Sequence, residues 1–142
     1  MVVIDSDAHV VETEHTWDFI EPSDAKYRPQ IVTAEDGAKY WVIDGKLRGR
    51  ARGPVGAKGL SPNVARKMVT DDAKRFMEDV PGRVAHMDEL GIDFQVLYPT
   101  MYISPMHEEP ATEVALARGY NRWLTDIWQQ GQGRLRWTCV RT

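Results

Sequence analysis

The chain has 142 residues, one cysteine and a formal net charge of -3, with 42% hydrophobic and 27% charged residues. That length suits a single domain with a real core, and no apolar run approaches the roughly 20 residues of a membrane span. Cys139, the sole cysteine, excludes an internal disulfide and a cysteine-based zinc cluster, so any metal must take His and carboxylate ligands. The opening MVVIDSDAHV lacks the basic start of a secretory signal, and the expected compartment is the reducing cytoplasm, with no membrane partner.

Charge is unevenly spread. Residues 1 to 25 hold seven acids and no Lys or Arg, whereas Lys46 to Lys67 holds seven basic residues, no acid, and Gly49, Gly53, Gly56 and Gly59. No aromatic residue interleaves these charges for base stacking, and GPVGAKGLS departs from a phosphate loop, which needs GxxxxGK followed by Ser or Thr. No nucleic acid or nucleotide is expected; the stretch reads as a solvated loop that can lie over the acidic segment.

In chain order, Val2 to Ile4 reads as a buried parallel strand ending in polar residues. Thr13 to Ala25 reads as a short helical turn around Trp17, Phe19 and Ile20, broken by Pro22 and Pro29. Lys39 to Ile43 and Lys46 to Arg48 form a hairpin across the type I′ turn signal Asp44-Gly45. Residues 26 to 65 are thus a surface insertion with a hairpin and a basic Gly-rich loop. Pro81 opens a helix with Val84, Met87 and Leu90 at spacing three and Gly91 as its cap. Ile92 to Tyr98 is a second core strand closed by Pro99. A longer helix carries Leu116, Tyr120, Trp123, Leu124, Ile127 and Trp128 on one stripe before Gly131, and Leu135 to Val140 is a third strand. Trp123, Trp128 and Trp137 are accounted for as core by this periodicity.

Strand, helix, strand, helix, strand is the order of βαβ units, so the class is α/β with parallel strands joined by right-handed crossovers. An eight-fold barrel takes about 250 residues, so the chain is either a small complete module or part of a barrel. A final strand with an unpaired edge favours the second.

The residues richest in chemistry are Asp5, Asp7 and His9, directly after the first apolar run. On a regular strand, residues two apart share a face, so all three would point into one space. A carboxylate and an imidazole suit zinc, manganese or iron. The same spacing also occurs in ordinary polar loops, where an Asp caps the next turn. Glu12 either orients an imidazole or is a solvated acid. His107 lies beyond the second strand with Glu108 and Glu109, but HEEP is not the HExxH zinc pattern. Tyr98 and Thr100 close that strand, within reach of a substrate, and Tyr98 serves equally well as a core residue. His15 and His86 read as surface residues.

IDSDAHVVE resembles the opening of the amidohydrolase-related family, in the branch with aminocarboxymuconate-semialdehyde decarboxylase. MDELGIDFQVLYPT resembles its second-strand segment, and ARGYNRWL followed by GRLRW resembles its next helix and third strand. Only residues 26 to 65 fall outside the likeness. The resemblance implies that residues 1 to 142 are the N-terminal part of a TIM (β/α)8 barrel, with about three parallel strands. It implies Asp7 and His9 as metal ligands, Asp7 standing where the family often has the first His of HxH. Zinc is the expected metal, with manganese or iron as alternatives. Tyr98, Thr100 and His107 would contact a small carbonyl or carboxylate substrate, undergoing hydrolysis or non-oxidative decarboxylation. The catalytic acid or base and the remaining ligands have no counterpart in the chain, which is expected to be inactive alone and to need a complementing C-terminal portion or to form a homo-oligomer. The alternative is a non-catalytic α/β module that binds a partner through its sheet edge or basic loop.

Overall fold

A computed structural model describes residues 1–51, 71–103 and 108–141. Its strands are β1 (Ile4–His9), β2 (Gln30–Thr33), β3 (Lys39–Ile43), β4 (Lys46–Arg50), β5 (Phe94–Tyr98) and β6 (Leu135–Trp137). Its α-helices are α1 (Asp72–Arg75), α2 (Val80–Leu90) and α3 (Pro110–Gln130), and 3-10 turns cover Glu14–Phe19, Pro22–Tyr27 and Met101–Ile103. No described helix is long and apolar enough to cross a membrane.

The strands form two three-stranded sheets, β1-β5-β6 and β2-β3-β4. In the first, β1 pairs parallel with β5 and β5 parallel with β6. The α/β expectation holds for this sheet. Ala8, Leu97 and Leu135 from its strands share one buried cluster with Val80 and Met87 of α2 and Tyr120, Trp123, Leu124 and Ile127 of α3. Both crossover helices therefore cover the same face while strand order advances in one direction. A segment of a (β/α) barrel has this arrangement, and so does one half of a doubly wound sheet, in which the strand order reverses only between the halves.

The helix ends follow from local chemistry. At the start of α2, Asp79 accepts the Gly82 amide at 2.9 Å, and Pro81 fills a first-turn position whose missing N–H costs nothing there. Gly91 ends the helix at φ 69°, the left-handed region in which a Cβ is penalised. The start of α3 is capped from a distance: Asp44 accepts the Glu108 and Glu109 amides at 3.1 and 3.4 Å, and the Thr112 hydroxyl.

Asp44 and Gly45 both have positive φ, 53° and 69°, as a type I′ turn requires. The hairpin thus forms at the predicted turn, with β2 as a third strand that periodicity does not reveal. Trp41 and Ile43 bury it against Trp17, Ile20, Ala51, Met101 and Leu116. Much of the basic Gly-rich loop lies outside the described residues. Its described start does not lie on the acidic N-terminal segment: Lys46 and Arg48 pair with Glu108 at 2.5 and 2.9 Å.

Several expectations change. Pro22 separates two turns and also opens the second: Glu21 before it is extended, and a 3-10 turn starts at Pro22 itself, because its fixed φ suits a first helical position and its ring disfavours a helical residue before it. Val2 to Ile4 is not a buried strand. Ile4 is 57% exposed, since among the described residues neither the outer edge of β1 nor the sheet face opposite the helices is covered. Leu90 and Trp128 are exposed, so each helical stripe stops one residue earlier than its spacing suggests. The third strand ends at Trp137 because Asn121 then takes over the backbone, donating to the Val140 carbonyl at 2.8 Å and accepting its amide at 3.2 Å.

Candidate functional site

The parallel sheet brings the candidate residues to one end through its register. Asp5 stands opposite Gln95, Ala8 opposite Leu97 and His9 opposite Tyr98. Three steps along β1 therefore match two along β5, and the extra residue is a bulge between Asp5 and Ala8. The expected common face for Asp5, Asp7 and His9 fails at this point, because a bulge interrupts alternation. Asp5 shares a side with buried Gln95, toward the helices. Asp7 and His9 lie on the open side, with side chains 89% and 43% exposed, and Asp7 Oδ1 is 3.7 Å from His9 Nε2.

The bulge is held by hydrogen bonds on the helix side. Asp5 Oδ1 accepts the Asp7 amide at 3.2 Å, an Asx turn that draws the strand out of extension. Asp5 Oδ2 accepts Gln95 Nε2 at 2.9 Å, and Gln95 Oε1 accepts Arg83 Nε at 2.8 Å. Gln95 and Arg83 are each 6% exposed. Burial lowers the Arg83 pKa, while the Asp5 charge acts in the opposite direction.

Beyond the strand ends, Glu12 is not a solvated acid. It is 3% exposed, and its two oxygens accept the amides of Thr100 and Met101, each at 3.0 Å. Burial first, and then the Glu12 charge, push the Tyr102 and Tyr120 phenols upward, so both stay protonated. Thr100 donates its hydroxyl to the Val10 carbonyl at 2.5 Å, which ties the segments after β1 and β5 together. Tyr98 sits beside His9, their ring centroids 6.1 Å apart. His107 lies outside the described residues. His15 is exposed and paired with Asp18 at 2.8 Å, and His86 is half-buried on α2.

Sequence reasoning misses Gln95, Arg83 and the burial of Glu12. A signal exists for the first two. Gln95 alternates with core Leu97 in a strand, and Arg83 falls between Val80 and Met87 on the buried face of α2, where a polar residue must find a partner.

No family model matches the chain, and no curated protein matches it. Among solved structures, it is similar in fold to the crystal structure of an amidohydrolase from Mycobacterium avium subsp. paratuberculosis. The TM-score is 0.65 and the identity 19%, over 99% of this chain and 42% of that one. The chain thus spans less than half the length of that amidohydrolase.

The donor pair can be tested against a metal ion by spacing. Two ligands about 2.1 Å from a tetrahedral zinc stand roughly 3.4 Å apart, close to the observed 3.7 Å. Asp7 and His9 fit as two ligands. Among the described residues, no three His, Cys, Asp or Glu side chains converge on a common point, so the pair is at most part of a coordination sphere.

Proposed function

We propose that this chain is the N-terminal portion of a metal-dependent amidohydrolase-type barrel, acting on a small carbonyl or carboxylate compound. The observation that carries this reading is the Asp7 and His9 pair, on the open side of a parallel strand end, in a fold similar to an amidohydrolase. Active sites of parallel barrels lie at that end of their strands.

When bound, a divalent metal would activate water for attack on a carbonyl or hold a substrate carboxylate for decarboxylation. Asp7 and His9 would hold it, zinc being the best match to one carboxylate and one imidazole. Tyr98, beside His9, would border the substrate. Thr100 commits its hydroxyl proton to the Val10 carbonyl, so it can offer substrate only an acceptor lone pair. Further ligands and the general acid or base would come from portions of the barrel beyond this chain.

The test is a zinc titration of the 142-residue chain and of the Asp7→Ala/His9→Ala double variant, followed by calorimetry and by the His9 imidazole signals. The expected result is weak binding by the parent chain that shifts His9 and is lost in the variant. Equal binding by both would remove the metal site.

A further inference from the structure

We infer that Gln95 is a positioning residue for the Asp7–His9 pair, joining Arg83 on the crossover helix to the bulge that turns those two side chains away from Asp5. The inference rests on the metal reading for its purpose, and on the hydrogen-bond chain alone for its existence. The order is Arg83 Nε to Gln95 Oε1, Gln95 Nε2 to Asp5 Oδ2, and the Asp7 amide to Asp5 Oδ1.

Each link has a definite direction. A guanidinium only donates and an ionised carboxylate only accepts, so a residue between them must accept on one side and donate on the other. Only a side-chain amide of this length does both here, and its partners fix which atom is oxygen. Leucine could fill the space but would leave Arg83 Nε without its acceptor, the Lys74 carbonyl at 3.5 Å from Nη1 remaining as that guanidinium's other contact. Glutamate could accept from Arg83 but would present a second anion to Asp5.

The chain of bonds also explains how an exposed pair is oriented from a buried position. Asp7 is almost wholly exposed, so packing cannot set its direction. Its backbone is set instead by Asp5, which is held in turn by Gln95. Preorganised ligands bind metal more tightly because less ordering remains to be done on binding, and such supporting contacts carry much of a site's affinity.

The test uses the 142-residue chain with Gln95→Leu, Asp5→Asn, and the double exchange Asp5→Asn/Gln95→Glu. In the exchange, the new carboxylate at position 95 accepts from both Arg83 and the new amide at position 5. The oxygen of that amide still receives the Asp7 backbone N–H, so every link is rebuilt with the charge moved from one residue to the other. Two quantities are read: the zinc affinity reported by His9 imidazole signals, and hydrogen exchange of the Asp7 amide without metal. Gln95→Leu should weaken zinc binding about tenfold, the lower end for supporting contacts, and speed Asp7 exchange. Asp5→Asn should move both in the same direction, and it serves as the single variant if Gln95→Leu does not fold. The exchange should bring both back to within about threefold of the parent, since it restores every hydrogen bond. Parent-like behaviour of both single variants would overturn the inference, and so would a folded exchange variant that stays impaired. If zinc never shifts His9 in the parent chain, the metal reading falls, and Asp7 exchange still decides whether Gln95 sets the bulge.

Discussion

The antiparallel sheet is built from neighbours in sequence and anchored by buried Trp41 and Ile43 against Trp17, Ile20 and Leu116. The parallel sheet is built from distant segments, Asp5 and Gln95 being 90 residues apart, and among the described residues only its helix side is covered. All its chemistry of interest, His9, Asp7 and Tyr98, lies on the other side. The difference is one of burial: one side of the parallel sheet carries the packed core, while the other leaves Asp7 and His9 open to solvent.

The largest expected effect is at the core that backs the parallel sheet. Trp123→Ala should cost about 3–5 kcal/mol, a large part of the stability of a domain this size. Thermal or urea unfolding followed by circular dichroism checks it. Trp41→Ala should be similarly costly to the hairpin cluster, yet leave the Leu97 and Leu135 amides protected in hydrogen exchange. Loss of protection in both sheets together would show that the two clusters unfold as one.

A middle-sized effect is expected where the hairpin meets α3. Burial disfavours the charge on Asp44, but hydrogen bonds from Thr112 and the Glu108 and Glu109 amides outweigh it and hold the carboxyl below its ordinary value. A lowered folded pKa gives stability that is present above the unfolded value of about 3.9 and is lost as pH falls through the folded value. Asp44→Asn, which keeps an acceptor oxygen for the two amides but loses the charge, should therefore lower stability at neutral pH by less than the roughly 1 kcal/mol that losing a helix cap outright costs. The gap between parent and variant should close on acidification below about pH 4. A gap that stays constant throughout acidification would show that the charge is irrelevant.

The smallest effect belongs to the open side. Ile4→Thr should change stability by less than about 0.5 kcal/mol in the 142-residue chain, as exposed substitutions do. A loss several times larger would mean that this side is covered in solution, and the contrast between the two sides would collapse.

Much of the fold is legible in the sequence. The α2 and α3 periodicities, Gly91 as a cap and the Asp44-Gly45 turn are local signals, set by residues within a few positions of one another. The placement of His9 beside Tyr98 at one end of the parallel sheet is also legible, because both residues close strands. What stays hidden depends on long-range partners. Glu12 is buried where Thr100 and Met101 bring amides to it, and β2 exists because β3 offers it an edge. The bulge is hidden for the same reason: alternation on β1 can be judged only against the register of β5.

That bulge has a consequence for how relatives are to be found. Removing residue 6 would let Asp7 stand opposite Val96 and leave Asp5 opposite Gln95 and His9 opposite Tyr98. Both spacings, DxDxH and DDxH, thus deliver the same two side chains to the same side, one through a bulge and one through a straight strand. The invariant across a lineage would be the pairing with β5, and the letter count between the two aspartates would be free to drift by one. A search that fixes the five-residue pattern would overlook chains that present the same pair.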